Sequence, residues 1–365
     1  MSWRARLHRY LLAVIDGRAT GPPAWVLRAV LACGVPVYWL GLQWSRAATR
    51  ARRVSCPVVS IGNITVGGTG KTPVVAWLAQ RLRQAGWRPA ILTRGYARAI
   101  GSTGLVDTNI ASPAAGYGDE PVWLARQLPG VPVLVGADRC VNAVDAVRRH
   151  QADCILLDDG FQHWALARDL DIVLLDGDRP FGSGALLPLG TLREPVGALR
   201  RAQLLLVRQR EGAADTTEAL RRRLHQRRIT APVIPFRYRA AEVHEPSTGQ
   251  TRPPEAVRGA RVRLLSSIAQ PASFESLARA LGVEVEQHLA YPDHHAYRVT
   301  DARHWAASGQ RTPLLTTEKD WMRLESLAGR GLIGPPVWVL RIAVELVHPH
   351  DEALIHDRLA RLRRG

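Results

Sequence analysis

Cysteine is scarce in this chain, and none of it is arranged to hold a metal ion. The four cysteines, Cys33, Cys56, Cys140 and Cys154, are scattered, and no two of them form a C-x-x-C pair. This spacing excludes a zinc ribbon and does not indicate a disulfide framework. We expect reduced and mostly buried thiols in a cytosolic compartment.

Acidic residues are outnumbered by basic ones. The chain has 32 of them against 49 basic residues, a formal net charge of +17 and a pI near 11. This excess predicts an anionic partner, either a nucleic acid, an acidic lipid or a phosphorylated substrate. Zinc-finger, helix-turn-helix and aromatic single-strand-binding patterns are absent, so we expect no nucleic-acid partner. No obligate protein partner is evident, and a solvated arginine-rich surface is the alternative explanation for most of these charges.

Lysine is nearly absent: the chain has only Lys71 and Lys319, and the other 47 basic residues are arginines. Lys71 lies in the sequence Ile-Gly-Asn-Ile-Thr-Val-Gly-Gly-Thr-Gly-Lys-Thr, residues 61–72. A glycine-rich loop that ends in Gly-Lys-Thr is typical of a phosphate-binding loop, in which the lysine contacts the β- and γ-phosphates of a nucleotide. The sequence therefore predicts a nucleotide site at Lys71.

The segments on either side of this loop agree with that prediction. Residues 57–61 form a short apolar run typical of a buried strand, and residues 72–85 place apolar side chains on one helical face. A loop between a strand and a helix presents free N–H groups and the positive helix end to phosphate. The usual pattern has a glycine in place of Thr65, and we expect Gly67 and Gly68 to supply the backbone freedom instead. A chance Gly-Lys-Thr turn is the alternative.

The alternation of strand-like and helical segments predicts the fold class. The 365 residues, 46% of them apolar, are enough for a substantial core and two domains. We predict an α/β fold of the P-loop nucleoside-triphosphatase type, with a mostly parallel sheet, helices on both faces, and a second, smaller α/β domain. The predicted parts are an N-terminal membrane-anchoring region (1–53), a P-loop domain (54–230) and a C-terminal α/β domain (231–365).

A long apolar segment precedes the phosphate-binding loop. Residues 24–44 contain one charge, Arg28, and arginines flank them on both sides. Their uninterrupted part, residues 29–42, is short for a membrane span, which takes about 20 apolar residues, but Trp and Tyr side chains suit the membrane interface. We expect a membrane-anchoring helix with the catalytic domain facing the cytoplasm, because the loop requires cytosolic nucleotide. A buried core helix and a signal peptide are the alternatives.

Two pairs of carboxylates are placed where phosphate chemistry uses them. Asp158 and Asp159 follow an apolar strand, where P-loop enzymes hold Mg²⁺ or orient its water. Asp119 and Glu120 open a predicted helix, and Asp119 is a candidate to take the proton of an alcohol. The alternatives are an ordinary Asp-Asp-Gly turn for the first pair and a helix cap for the second.

Three other polar features remain. His294 and His295 end the sequence Pro-Asp-His-His, in which a carboxylate reached by an imidazole would form an acid–base dyad. The Gly- and Pro-rich stretch 176–195 is long for a loop and contains Arg193, a candidate to clamp a phosphate. Lys319 lies in Thr-Thr-Glu-Lys-Asp, where the sequence alone indicates an ion pair or anion contact but no chemistry.

Five motifs occur in one order along the chain. They are Gly-Asn-Ile-Thr-Val-Gly-Gly-Thr-Gly-Lys-Thr-Pro (62–73), Leu-Thr-Arg-Gly-Tyr (92–96), Gly-Asp-Glu-Pro (118–121), Asp-Asp-Gly-Phe-Gln-His (158–163) and Pro-Asp-His-His (292–295). This set resembles the tetraacyldisaccharide 4'-kinases, the lipid A 4'-kinases of Gram-negative bacteria, over most of the chain. The resemblance implies an inner-membrane enzyme that moves the γ-phosphate of ATP to the 4'-hydroxyl of a tetraacyl glucosamine disaccharide 1-phosphate, the lipid A precursor.

The resemblance also implies roles for the matching residues. The ATP-binding residues would be Thr65, Val66, Gly67, Gly68, Thr69, Gly70, Lys71 and Thr72. The metal-binding residues, for the cofactor Mg²⁺, would be Thr72, Glu120, Asp158 and Asp159. Asp119 would deprotonate the hydroxyl with support from His294, to which His295 is the neighbouring alternative. Lys71 and Arg193 would neutralise phosphate charge, with Arg193 on the substrate side.

Other function classes stay open at the level of the sequence. A membrane-associated P-loop ATPase switch, which acts on a protein partner and phosphorylates no substrate, would carry the same Gly-Gly-x-Gly-Lys-Thr loop. Such switches often have an additional lysine early in the loop, which is absent here. A nucleic-acid-dependent ATPase would show stimulation by DNA or RNA that falls steeply with salt.

Overall fold

Strands and helices alternate through residues 3–68, 70–95, 104–109, 113–210, 215–307 and 312–363, which are the residues that this computed structural model describes. The helices are α1 (Trp3–Ile15), α2 (Pro22–Ala48), α3 (Lys71–Gln84), α4 (Pro113–Tyr117), α5 (Asp119–Gln127), α6 (Arg139–His150), α7 (Thr217–His225), α8 (Pro271–Ala280), α9 (Val299–Ala307), α10 (Glu318–Gly329) and α11 (Asp351–Arg361). The strands are β1 (Val58–Asn63), β2 (Pro89–Thr93), β3 (Gly104–Leu105), β4 (Val133–Val135), β5 (Cys154–Asp158), β6 (Leu170–Asp176), β7 (Leu204–Arg208), β8 (Val233–Glu245), β9 (Gln250–Arg252), β10 (Arg261–Ser266), β11 (Glu284–Ala290), β12 (Leu314–Thr317) and β13 (Val337–Leu346).

One mixed sheet holds the 13 strands of the described residues. Its order is β11-β10-β12-β13-β8-β7-β6-β1-β5-β2-β4-β3, and β9 pairs with β8. Neighbouring strands from β8 to β4 are parallel, and so are β10, β11, β12 and β13 where they pair with one another. The pairs β13 with β8, β9 with β8 and β3 with β4 are antiparallel. The predicted α/β fold with a mostly parallel sheet is confirmed.

Strand β8 joins the two parallel groups. Residues 233–236 pair with β7, and residues 236–244 pair with β13. The strands of the second group run in the opposite direction, because β13 is antiparallel to β8, and they attach to β8 beyond the end of β7. The C-terminal ends of the two groups therefore face a common cleft, with the β8–β13 ribbon between them. Open α/β sheets bind their ligands outside the C-terminal ends of the strands. The division suggested at residue 230 falls just before β8, and the sheet continues across it.

The first parallel group forms the main core. Strands β1, β2 and β5 bury every residue, which accounts for their mostly apolar sequences. Val75, Leu78 and Leu82 lie on one face of α3 and pack in the same core cluster as the sheet, as the helical period predicts. Full burial of such a side chain contributes about 1.5–3 kcal/mol. This apolar face therefore fixes α3, and with it the loop that precedes the helix.

The N-terminal helices expose apolar surface. Of the helices that the structure describes, α2 is the one long and apolar enough to cross a membrane, and it is not covered by the rest of the protein. The large exposed apolar side chains of α2 are Trp25, Val26, Val30, Val37, Trp39, Leu40 and Trp44. The alternative of a buried core helix therefore does not fit α2. Helix α1, which the sequence did not predict, precedes it and exposes Trp3, Leu7 and Leu12.

Candidate active site

A cavity of about 870 Å³ lies in the cleft between the two parallel groups. Its walls come from the loops that follow the C-terminal ends of strands in both groups, and its floor includes Tyr238 and Leu340 of the β8–β13 ribbon. The predicted site residues that line it are Val66, Gly67, Gly68, Gly70, Lys71, Thr72, Asp119, Glu120, Asp158, Asp159, Arg193 and His294. The structure thus brings together predicted site residues from four of the five motifs, and Arg193 from the stretch 176–195.

The phosphate-binding loop connects β1 to α3 along one wall. Thr65 forms an isolated β-bridge with Leu192, and Thr69 lies outside the described residues. Gly67 and Gly70 have φ values of 117° and 78°, a region that favours glycine, and α3 begins directly after Gly70. Gly68 does not have a left-handed φ, so the expected freedom comes from Gly67 and Gly70. The loop therefore ends with the N–H groups of the first helical turn directed to the cavity.

Lys71 is the first residue of α3, and its ammonium lies inside the site. Its Nζ donates a hydrogen bond of 3.2 Å to Oδ1 of Asn63 and lies 3.3 Å from Oδ1 of Asp159. Thr72 follows it and is buried in the first helical turn. A half-enclosed ammonium at a helix N-terminus concentrates positive charge where phosphate oxygens bind. Lys71 therefore has the placement that the sequence predicted for it.

Asp159 carries two cationic contacts at the end of β5. Its backbone has φ 53°, and its Oδ2 accepts a hydrogen bond of 2.8 Å from Nη1 of Arg193. Burial acts to raise the pKa of Asp159, but the charges of Lys71 and Arg193 outweigh it and hold the pKa below its usual value. The carboxylate is therefore ionised at neutral pH. Arg193, the predicted phosphate clamp, is directed into the cavity by this contact.

The remaining carboxylates crowd the same wall and fit a divalent cation. Burial, followed by the charges of Glu120 and Asp159, raises the pKa of Asp158 to about 6. Oδ1 of Asp159 is buried, and Nζ of Lys71 lies 3.3 Å from it. No group of three or more His, Cys, Asp or Glu side chains within the described residues forms a metal cage by itself. Mg²⁺ bound with a nucleotide requires only one or two carboxylates, because phosphates and water complete its shell. The donor set therefore fits Mg²⁺.

Glu120 and Asp119 open α5 and face α10 across the cleft. Nζ of Lys319 contacts Oε1 of Glu120, and Nε of Arg323 contacts Oδ2 of Asp119. Burial acts to raise the pKa of Glu120, but the charge of Lys319 leads the groups that lower it below its usual value. The two residues at the start of α5 are therefore each paired with a cation from α10, and Lys319, which had no assigned role, pairs with Glu120.

The two candidate histidines have different surroundings. Nδ1 of His294 lies 3.8 Å from Oδ2 of Asp119, an ion-pair distance that is longer than a hydrogen bond. The contact with Asp119 is the main cause that raises the pKa of His294. Nε2 of His295 lies instead 3.1 Å from Oδ2 of Asp301, and its ring stacks on Tyr291. His294 is therefore the histidine that faces Asp119 and lines the cavity, whereas His295 pairs with Asp301 instead.

Several polar residues of the site were not found from the sequence. Asn63 accepts from Lys71, and the buried Arg139 donates a hydrogen bond of 3.1 Å to the main-chain oxygen of Asp159. Arg323 contacts both Asp119 and His294. One signal was available for Arg323, because it follows Lys319 by four residues and so lies on the same helical face. Arg139 has no comparable sequence signal beyond its position after β4.

Comparisons with known proteins show the family of this chain. The sequence model of the family described as tetraacyldisaccharide-1-P 4'-kinase matches residues 27–361. The tetraacyldisaccharide 4'-kinase of Anaeromyxobacter dehalogenans is 43% identical over 88% of this chain and 86% of its own length, and that of Geobacter sulfurreducens is 36% identical over 92% and 94%. The crystal structure of LpxK from Aquifex aeolicus in complex with ATP superposes with a TM-score of 0.70 at 27% identity, covering 92% of this chain and 99% of that one. This chain belongs to the tetraacyldisaccharide-1-P 4'-kinase family.

Proposed function

We propose that this protein transfers the γ-phosphate of ATP to the 4'-hydroxyl of tetraacyldisaccharide 1-phosphate, a step of lipid A biosynthesis. The observation that carries the proposal is the acid–imidazole pair of Asp119 and His294, which lines the same cavity as Lys71 and the phosphate-binding loop. Phosphoryl transfer to an alcohol requires a phosphate cradle and a nearby base. The relatives are named tetraacyldisaccharide 4'-kinases, and the Aquifex aeolicus structure is a complex with ATP.

On the nucleotide side, we assign the phosphates of ATP to the loop of residues 65–72. The N–H groups at the start of α3 bind phosphate oxygens, and Lys71 contacts the β- and γ-phosphates. Arg193, which lies 2.8 Å from Asp159, adds positive charge on the side where the acceptor enters. Aligned donors of this kind stabilise charge as it develops in the transition state.

On the acceptor side, Asp119 takes the proton of the 4'-hydroxyl. Burial acts to raise the pKa of Asp119, but His294 and Arg323 outweigh it, and the pKa lies below its usual value. An ionised carboxylate accepts the proton as the 4'-oxygen bonds the γ-phosphorus and the bond from that phosphorus to the β-phosphate oxygen breaks, which releases ADP. His294 supports Asp119 from a distance of 3.8 Å.

Thr72, Glu120, Asp158 and Asp159 are the residues that would hold Mg²⁺. When bound, the ion would neutralise the charge on the β- and γ-phosphates. The close approach of Glu120 and Asp159 to Asp158, which adds to burial in raising the pKa of Asp158, supports this assignment. A bound cation would offset the charges of the neighbouring carboxylates and so favour the ionised form of Asp158.

The N-terminal region supplies the contact with the lipid. We propose that residues 1–53 anchor the protein in the inner membrane, with the P-loop kinase domain of residues 54–230 and the smaller domain of residues 231–365 on the cytoplasmic side. The exposed apolar side chains of α2 support this placement, because water would solvate them poorly. The acyl chains of the substrate would stay in the bilayer while arginines meet its phosphorylated headgroup. No nucleic acid and no obligate protein partner enter this account.

The site of transfer is tested with an acceptor that lacks the 4'-hydroxyl. Purified protein in detergent is given ATP and either tetraacyldisaccharide 1-phosphate or its 4'-deoxy analogue. We expect a new phosphate on the first acceptor, with a through-bond correlation between that phosphorus and the 4'-proton in NMR spectra, and none on the analogue. Equal phosphorylation of both acceptors would refute the assignment of the 4'-hydroxyl.

A further inference from the structure

Arg323 occupies a central place between the two members of the proposed acid–imidazole pair. It belongs to α10, in the C-terminal part of the chain, and its side chain is 9% exposed. Asp119 belongs to α5, in the P-loop part, and His294 follows β11. Burial of an arginine is costly unless its guanidinium is paired and hydrogen-bonded. The partners of this guanidinium therefore indicate the role of the buried arginine.

Each nitrogen of the Arg323 guanidinium has its own partner. Nε contacts Oδ2 of Asp119, and Nη1 donates a hydrogen bond of 2.7 Å to Oγ of Ser267. Nη2 lies 3.2 Å from Nδ1 of His294, and because Arg can only donate, Nδ1 accepts this hydrogen bond when the ring is neutral with its proton on Nε2. One planar group thus contacts a carboxylate oxygen, a ring nitrogen and a hydroxyl at once.

We propose that Arg323 is a positioning residue for phosphoryl transfer, which holds Asp119 and His294 in one fixed geometry across the cleft. This inference rests on the proposed function, since it assumes that the pair serves the transfer. The direct separation of 3.8 Å is too long for a hydrogen bond between the two side chains, so the guanidinium supplies the link that they do not make themselves.

The shortest contacts of Asp119 with Arg323 and with His294 are both made by Oδ2. This arrangement leaves Oδ1 for the proton of the acceptor hydroxyl. A catalytic group acts efficiently only when its atom is held close to the reacting atom, and displacement by about 1 Å can cost about 100-fold in rate. Arg323 would therefore act on the rate of transfer without contacting the substrate.

A role limited to attaching α10 explains these contacts less well, because other contacts already attach it. Lys319 pairs with Glu120, and Arg126 pairs with Glu325 at 2.8 Å. The helix is also capped by Thr317, whose hydroxyl accepts from the Asp320 N–H at 3.1 Å. The guanidinium of Arg323, by contrast, is the cation that reaches both members of the acid–imidazole pair.

The test compares Arg323→Gln, Arg323→Lys and the matched control Arg330→Ala, an exposed arginine at the end of the same helix. Transfer to the lipid acceptor is measured for each full-length protein, and kcat is expressed per molecule able to bind ATP. We expect kcat to fall about 100-fold for Gln, which keeps polarity but loses the charge. For Lys we expect a fall of about 10-fold, because its ammonium can contact Asp119 or His294 but does not bridge both. The KM values for ATP and acceptor should stay within about twofold, because no binding contact changes.

The outcomes separate this inference from the proposed function. Wild-type protein that forms no lipid phosphate would refute the proposed function. If the wild type is active and either Arg323 variant keeps a kcat within twofold of it, the positioning role is overturned. A loss of kcat/KM that comes from KM alone would overturn it too. If Arg323→Gln does not fold, Arg323→Lys decides by the same criterion. Arg330→Ala must match wild type in both constants.

Discussion

The phenol of Tyr38 donates a hydrogen bond of 2.9 Å to the main-chain oxygen of Arg193. Tyr38 lies on α2, the exposed apolar helix, and Arg193 contacts Asp159 inside the cavity. This hydrogen bond therefore connects the proposed membrane anchor to the loop that carries Arg193, the proposed phosphate clamp. Helix α2, the proposed membrane anchor, therefore supports a loop of the candidate active site.

We predict that Tyr38→Phe slows transfer modestly. The hydrogen bond contributes about 1 kcal/mol, so its loss should lower kcat by up to about fivefold through a less well-held Arg193, with ATP binding unchanged. Transfer to the lipid acceptor and ATP affinity measure the two effects. Tyr10→Phe, an exposed tyrosine on α1, is the matched control. An equal change in both variants would contradict the connection.

Lys71 should be indispensable for transfer. Lys71→Ala removes the ammonium that lies 3.3 Å from Asp159 and faces the phosphates, and we expect kcat to fall at least about 100-fold with membrane binding intact. Lys71→Arg should not restore the rate, because a planar fork does not replace a compact charge. Steady-state kinetics and flotation with vesicles measure both. Near-normal rates in either variant would remove Lys71 from its assigned role.

Asp119→Asn should remove the base and spare the nucleotide site. A general base typically contributes about 10²–10⁴ in rate, and the amide cannot take the proton. We expect a kcat loss in that range with ATP affinity within about twofold, measured by transfer kinetics and nucleotide titration. Asp145→Asn, a partner of Arg149 on α6, controls for loss of a surface carboxylate. A rate within tenfold of wild type would exclude Asp119 as the base.

Glu318 should make stability depend on pH. Burial raises its pKa to about 7, against an ordinary value near 4.5, although the charge of Arg341 acts in the opposite direction. The folded state therefore holds the proton more tightly, and the stability that this proton contributes is present below about pH 4.5 and lost as pH rises through 7. The slope is at most about 1.4 kcal/mol per pH unit for one proton.

Glu318→Gln should lack this dependence. The free energy of unfolding of the variant, relative to wild type, should rise between pH 5 and pH 7 by denaturant titration at fixed detergent. This range lies between the ordinary pKa near 4.5 and the raised pKa of about 7, where wild type loses the contribution of the proton. Glu325→Gln, on the same helix but half exposed, provides the comparison. A difference between Glu318→Gln and wild type that stays constant with pH would contradict the raised pKa.

The strands of the P-loop part could be predicted closely from the sequence. The apolar runs 89–93, 154–157 and 204–207 lie within one residue of β2, β5 and β7, because strands buried on both faces have continuous apolar sequences. The helix over residues 72–85 likewise differs from α3 by one residue at each end. Local sequence is sufficient to predict an element when the spacing of its apolar residues determines which of them are buried.

The contacts across the cleft could not be predicted in this way. Arg323 and Asp119 are 204 residues apart, and only the path of β8 and β13 brings their helices together. In an arginine-rich chain, a functional arginine also cannot be distinguished by sequence from the many others. Helix α1 was missed because its arginines interrupt the apolar pattern. The motifs could therefore indicate the acids and the lysine of the site, but not the arginine that joins two of them.

The most direct test of the central claim follows the γ-phosphate itself. Purified protein in detergent is incubated with γ-³²P-labelled ATP, Mg²⁺ and tetraacyldisaccharide 1-phosphate, and lipid is separated from inorganic phosphate. We predict label in the lipid fraction, which Lys71→Ala abolishes. Label found only in inorganic phosphate, from protein that binds and hydrolyses ATP, would contradict the kinase and favour an ATPase switch.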